Sequence, residues 1–237
     1  MKRLLLCTAL FSLASANAFG AYIFGATGSS QNAASGATLT VNTDSGAFTY
    51  NNNAFDRGWY DHNGLHDPGN DNYTAADGSI PPVAGFSNHN FFLFRLGQGL
   101  IEGNILSATL SIHNPINGYS GPANGLIYNL WDVDWSQNDP YTTLLNGGSG
   151  LFSVFNDLGS GTTYGSKLVM PTDVDGNIVI NLNADGLIGI QNASSIEGTS
   201  LFAIGGSISP RGEVPEPGTY ALMGAGLLGL AALRRRR

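Results

Sequence analysis

The chain has 237 residues, one cysteine (Cys7) and 11% charged residues, against roughly 25% in typical soluble proteins. Its formal charge of −7 includes Lys2, Arg3 and four terminal arginines; without them Arg57, Arg95, Lys167 and Arg211 face 17 acidic residues, and four minus 17 gives −13 over residues 19–233. So acidic a body cannot neutralise many phosphates, which excludes nucleic acid as a partner, and the lack of cysteine after residue 7 excludes disulfides and thiolate chemistry.

The chain opens as a signal peptide, residues 1–18. Met1-Lys2-Arg3 is a basic n-region, Leu4 to Ala14 an apolar h-region too short to span a bilayer, and Ala16-Asn17-Ala18 a small-residue site with cleavage before Phe19. The Sec machinery and signal peptidase are the partners this segment implies.

Residues 19–210 read as one all-β domain, a jelly-roll-like antiparallel β-sandwich. Expected strands are Thr38–Thr43, Asn90–Leu96, Ser107–His113, Gly125–Val133, Leu151–Phe155, Asn177–Leu182 and Leu201–Ile204, all rich in β-branched or aromatic residues or alternating in polarity. Asn114-Pro115, Asn117-Gly118, Asn146-Gly147-Gly148 and Asp175-Gly176 supply turns between them. Ala184–Gln191 is the one segment that suits a short turn of helix. Many short strands without repeats suit a sandwich.

Between the first two strands lies a polar stretch holding Asp56, Asp61, His62, Asn63, His66, Asp67, Asp71, Asn72 and Asp77. It reads first as a solvated loop. If it binds an ion, the oxygen ligands Asp61, Asp67 and Asp71 suit calcium better than the pair His62 and His66 suits zinc, because four-residue spacing on a loop gives no shared helical face. Asp173-Val-Asp175-Gly-Asn177 opens like an EF-hand loop but lacks the distal glutamate, so it is expected to be a hairpin turn.

Trp131 and Trp135 bracket Asp132, Val133 and Asp134. On a strand the tryptophans and Val133 would share one face and the acids the other, an aromatic platform beside carboxylates that suits a sugar ring. Trp59, Tyr60, Trp131 and Trp135 are therefore the candidate glycan contacts. Catalysis has weaker support: there is no Gly-x-Ser-x-Gly elbow, His-Glu-x-x-His or P-loop, and only Glu102 and Glu197 lie in the domain. A glycosidase would have to use aspartates, and the alternative to a binding protein is a polysaccharide-degrading enzyme using Asp and His of residues 56–77.

Residues 211–237 read as a sorting signal. Val214-Pro215-Glu216-Pro217 precedes an uncharged segment, 219–233, followed by Arg234, Arg235, Arg236 and Arg237. Fifteen helical residues rise about 22 Å, short of a hydrocarbon core of roughly 30 Å, so the expected transmembrane helix is a marginal anchor. The arginines hold its end in the cytoplasm and place the domain outside the inner membrane. This order of parts resembles the PEP-CTERM sorting signal of Gram-negative bacteria. The resemblance implies processing by an exosortase at the Pro215-Glu216-Pro217 region, after transient inner-membrane anchoring.

Asn90-Phe-Phe-Leu-Phe-Arg-Leu96, followed by Ile105-Leu-Ser-Ala-Thr-Leu-Ser-Ile112, resembles the strand pair of DNRLRE-type carbohydrate-binding β-sandwich proteins. Phe55–Asp61 and Phe202–Gly206 add to the likeness. It implies a sandwich with a glycan-binding role. Together these readings give the expectation of a non-catalytic cell-surface or extracellular-matrix protein, in contact with exopolysaccharide in a biofilm.

Overall fold

The computed structural model describes residues 21–25, 36–52, 56–70, 72–79, 87–97, 101–134, 144–195 and 200–211. The expected signal peptide, the sorting tail with its helix 219–233, Asp71 and Trp135 lie outside them.

The described residues form an antiparallel all-β sandwich. One sheet holds β1 (Ala21–Ile23), β4 (Arg57–Asp61), β5 (Ala75–Asp77), β6 (Asn88–Arg95), β8 (Tyr119–Ser120), β9 (Leu126–Trp131), β10 (Thr163–Val169) and β12 (Leu201–Pro210). Its order is β10-β9-β12-β6-β5-β1-β8, and β4 pairs with β6. The second sheet runs β11-β7-β2-β3, with β2 (Ala37–Thr43), β3 (Gly46–Asn51), β7 (Ile105–Asn114) and β11 (Gly176–Asn181).

Alternation builds the main core. Leu39, Val41, Ala108, Leu110, Ile112, Ile178 and Ile180 of the second sheet meet Phe92, Phe94, Tyr128, Leu130, Phe202 and Ile204 of the first. Fully burying each large side chain is worth roughly 1.5–3 kcal/mol. The outward positions of the second sheet, such as Thr38, Thr40 and Thr109, carry hydroxyls instead. Two polar side chains that enter the core pair with each other: Tyr128 OH donates to Asn90 Oδ1 (2.8 Å), and Asn90 Nδ2 donates to the Tyr73 carbonyl (2.8 Å).

The first sheet has a second buried face. Phe91 and Leu93 of β6 and Leu201 and Ala203 of β12 project away from the main core and pack with Tyr60, Val133, Leu144, Val154 and Leu158. The cover comes from α1 (Phe152–Asp157) and its flanks. This explains why β6 and β12 read as unbroken apolar runs, since a strand covered on both faces has no reason to alternate.

Several expectations are corrected here. Leu151–Phe155, read as a strand, contains the start of α1, because Leu151, Val154, Phe155 and Leu158 follow helical spacing and face the second core. The short helical turn expected at Ala184–Gln191 is borne out and extended, as α2 (Ala184–Ser195), capped by Asn183 Oδ1 accepting from Gly186 N–H (3.0 Å). Asp175-Gly176 is no hairpin turn, because β10 belongs to the first sheet and β11 to the second; Asp175 at φ 56° turns the chain between them.

The stretch from residue 56 is not simply a solvated loop either. Asp56 is buried and accepts from Arg95 Nε (3.0 Å) and Nη2 (2.6 Å), a two-point pair, while Arg57 is buried 5.3 Å from the Tyr73 ring centroid. Residues 57–61 form β4, paired with β6. Strands β3, β4 and β10 were not read from the sequence: β3 buries no side chain fully, and glycine interrupts β4 and β10.

Candidate functional site: a cleft over β9 and β12

The helical cover hides only part of the outer face of the first sheet. Beside it lies a cleft of ≈ 560 Å³, lined by Asp77, Ser87, His89, Asn129, Trp131, Phe155, Gly159, Ser207 and Ser209 among others. Its size is that of a small-molecule site. The register builds it: Trp131 pairs with Gly205, Asn129 with Ser207 and Ile127 with Ser209, so these residues share the outer face.

Two parallel diagonals cross the strand pair. Trp131 Nε1 donates to Ser207 Oγ (2.8 Å), and Asn129 Nδ2 donates to Ser209 Oγ (3.2 Å). The first tethers the half-buried indole across β9 and β12. On the opposite wall His89 stacks on Phe155, with centroids 4.0 Å apart and planes 3° from parallel. His89 Nδ1 lies 2.6 Å from the Phe155 carbonyl, which can only accept, so Nδ1 carries the proton of the neutral ring and Nε2 is an acceptor. Burial pushes the His89 pKa below its ordinary value, against smaller upward effects of the Phe155 hydrogen bond and Asp77.

Two glycines shape the floor. A Cβ on Gly205 would sit 2.7 Å from Leu158 Cα, so glycine lets the end of α1 press on the sheet. A Cβ on Gly159 would collide with the His89 ring. The cleft thus combines aromatic surface with hydroxyl, amide and imidazole groups.

The structure distributes the other predicted residues differently. Strand β9 ends at Trp131, so the expected alternation does not continue, although Val133 still falls on the Trp131 side, in the second core. Asp132 accepts from Thr162 N–H (2.7 Å), and Asp157 accepts from Asp134 N–H (3.0 Å). Tyr60, expected to touch glycan, is wholly buried and donates to the Leu144 carbonyl (3.2 Å). Trp59 pairs with Asn90 and therefore lies on the face of the sheet opposite the cleft. Only Trp131 of the described tryptophans belongs to the cleft. His89, Asn129, Phe155 and Ser207 were missed, because their meeting depends on strand order and on where α1 lands.

At the calcium candidates, Asp61 Oδ1 accepts from Asn63 N–H (2.9 Å) and Leu65 N–H (2.8 Å), and Asp67 Oδ1 accepts from Gly69 N–H (2.9 Å). Both carboxylates brace their own turns. His62 is exposed, whereas His66 is buried with Nδ1 2.9 Å from the Trp59 carbonyl. Among the described residues no group of three or more His, Cys, Asp or Glu is placed to hold a metal ion. Asp173 Oδ2 accepts from Met170 N–H (2.8 Å), a turn contact and not an EF-hand ligand geometry.

Among the described residues no helix is long and apolar enough to cross a membrane. No curated protein and no solved structure matches the chain. Residues 213–237 match the family model of the PEP-CTERM protein-sorting motif. That motif supports export, a brief membrane-anchored stage and processing by an exosortase.

Proposed function

We propose that the sandwich is a non-catalytic glycan-binding domain, delivered by exosortase processing to the cell surface or to an exopolysaccharide matrix. The observation that carries this reading is the Trp131 cleft, where an indole tied to Ser207 faces a wall of stacked His89 and Phe155 amid hydroxyl and amide groups. The likeness of Asn90–Leu96 and Ile105–Ile112 to DNRLRE-type carbohydrate-binding sandwiches agrees with it. The alternative, hydrolysis by Asp and His of residues 56–77, draws no support from Asp61, whose carboxylate accepts two backbone N–H groups.

The test is a glycan array with the purified full chain in mild detergent, alongside Trp131→Ala. Retention of a polysaccharide that the variant loses about tenfold or more, without release of reducing ends, supports the proposal. Depolymerisation by the wild type, abolished by His62→Ala, would replace it with the enzymatic reading.

A further inference from the structure

We infer that the Trp131 cleft is selective for neutral sugar units and rejects uronate-bearing chains, an inference that rests on the glycan-binding reading above. Among the described residues the lining contains no lysine or arginine, and Asp77 is its one carboxylate. All four basic residues of the stretch 19–233 are described, and each is placed elsewhere. Arg57 is buried over Tyr73, and Arg95 sits at the opposite end of β6 from His89, bonded to Asp56. Lys167 lines a separate cleft with Asp173, and Arg211 follows the end of β12, its Nη1 3.4 Å from the Asn124 carbonyl.

The hydrogen-bonding sense points the same way. His89 Nδ1–H is committed to the Phe155 carbonyl, leaving Nε2 as a lone pair, and the Asp77 carboxylate only accepts. Burial disfavours the imidazolium, the one cation that His89 could supply. A sugar hydroxyl donates to such acceptors, and it both donates to and accepts from Ser207, Ser209, Ser87 and Asn129. A carboxylate cannot donate. It would enter beside Asp77 without a counter-charge, losing its hydration in a body of net charge −13.

The test uses the full chain in detergent with two probes at pH 7.5, a soluble neutral glucan and the uronate polymer alginate, each against wild type, Trp131→Ala and Ser209→Arg. Expected are glucan retention lost about tenfold or more in Trp131→Ala, no Trp131-dependent retention of alginate, and a gain of alginate retention in Ser209→Arg. Trp131-dependent binding of alginate by the wild type, equal to or tighter than that of glucan, overturns the selectivity while leaving the glycan-binding reading in place. Loss of no binding in Trp131→Ala for either probe overturns both. Ser209→Arg alters a half-buried rim side chain, so its result stands even where Trp131→Ala fails to fold.

Discussion

Trp131 and Ser207 stand on adjacent strands, two residues out of register and so on the same face, and the indole Nε1–H reaches across to the serine Oγ at 2.8 Å. The bond fixes the largest side chain of the cleft to its floor, so it positions a contact surface as much as it stabilises the sheet. Ser207→Ala should cost about 0.5–1.5 kcal/mol of stability and weaken glycan retention by more than Asn129→Ala does. Urea unfolding, with binding measured on the same preparations, checks both.

Gly205→Ala should be worse for stability than its size suggests. The added methyl meets Leu158 Cα at 2.7 Å, which is backbone and cannot swing aside. Overpacking of this kind costs about 1–3 kcal/mol. The expected result is a lower urea midpoint with an unchanged slope, together with exposure of the second core to a hydrophobic dye.

Asp61→Ala separates turn bracing from ion binding. Losing the acceptor of the Asn63 and Leu65 N–H groups should lower the melting temperature equally in excess chelator and in millimolar calcium. A wild-type melting temperature that rises with calcium, and a variant that no longer responds, would instead establish an ion held by this loop.

Stability should fall on mild acidification. Burial lowers the pKa of both His66 and His89 in the folded state. Their contribution is therefore complete above the ordinary histidine value near 6.5 and is lost as pH falls through the lower folded values, because the unfolded chain takes up protons first. The melting temperature should drop between pH 7.5 and 5, and the drop should shrink in His89→Gln.

The tail makes a prediction independent of the sandwich. Replacing Pro215, Glu216 and Pro217 together by alanine should keep the protein in the membrane fraction of its host, whereas the wild type reaches the surface or medium. Fractionation followed by immunoblotting decides it.

Much of the sandwich was legible because one sheet face was buried and the other wet. Ser107–His113 and Asn177–Leu182 show that alternation directly, and the structure pairs them as β7 and β11. The unbroken run Asn90–Leu96 was legible as a strand, but not the reason for its lack of polar positions, which is a second cover on its far side. Leu151–Phe155 misled because five residues fit period 2 as well as 3.6; Leu158, three residues further on, decides for the helix. Gly46–Asn51 hid as a strand because it buries no side chain fully, and Arg57–Asp61 because glycine and charge interrupt its pattern; Asp56 and Arg57 are buried where they meet Arg95 and Tyr73.

By itself, then, the sequence determined the all-β class, the acidic, disulfide-free body and the sorting motif at 213–237. These are properties of local pattern and composition, which need no long-range contact to be expressed. Only the tertiary structure decided that Trp131 shares a cleft with His89, Phe155 and Ser207, while Tyr60 is sealed in the core and Trp59 is turned to the other face. Strand order and register set those relationships. They arise from packing two sheets and a helical cover against one another, and a one-residue slip in any strand would exchange its inner side chains for its outer ones.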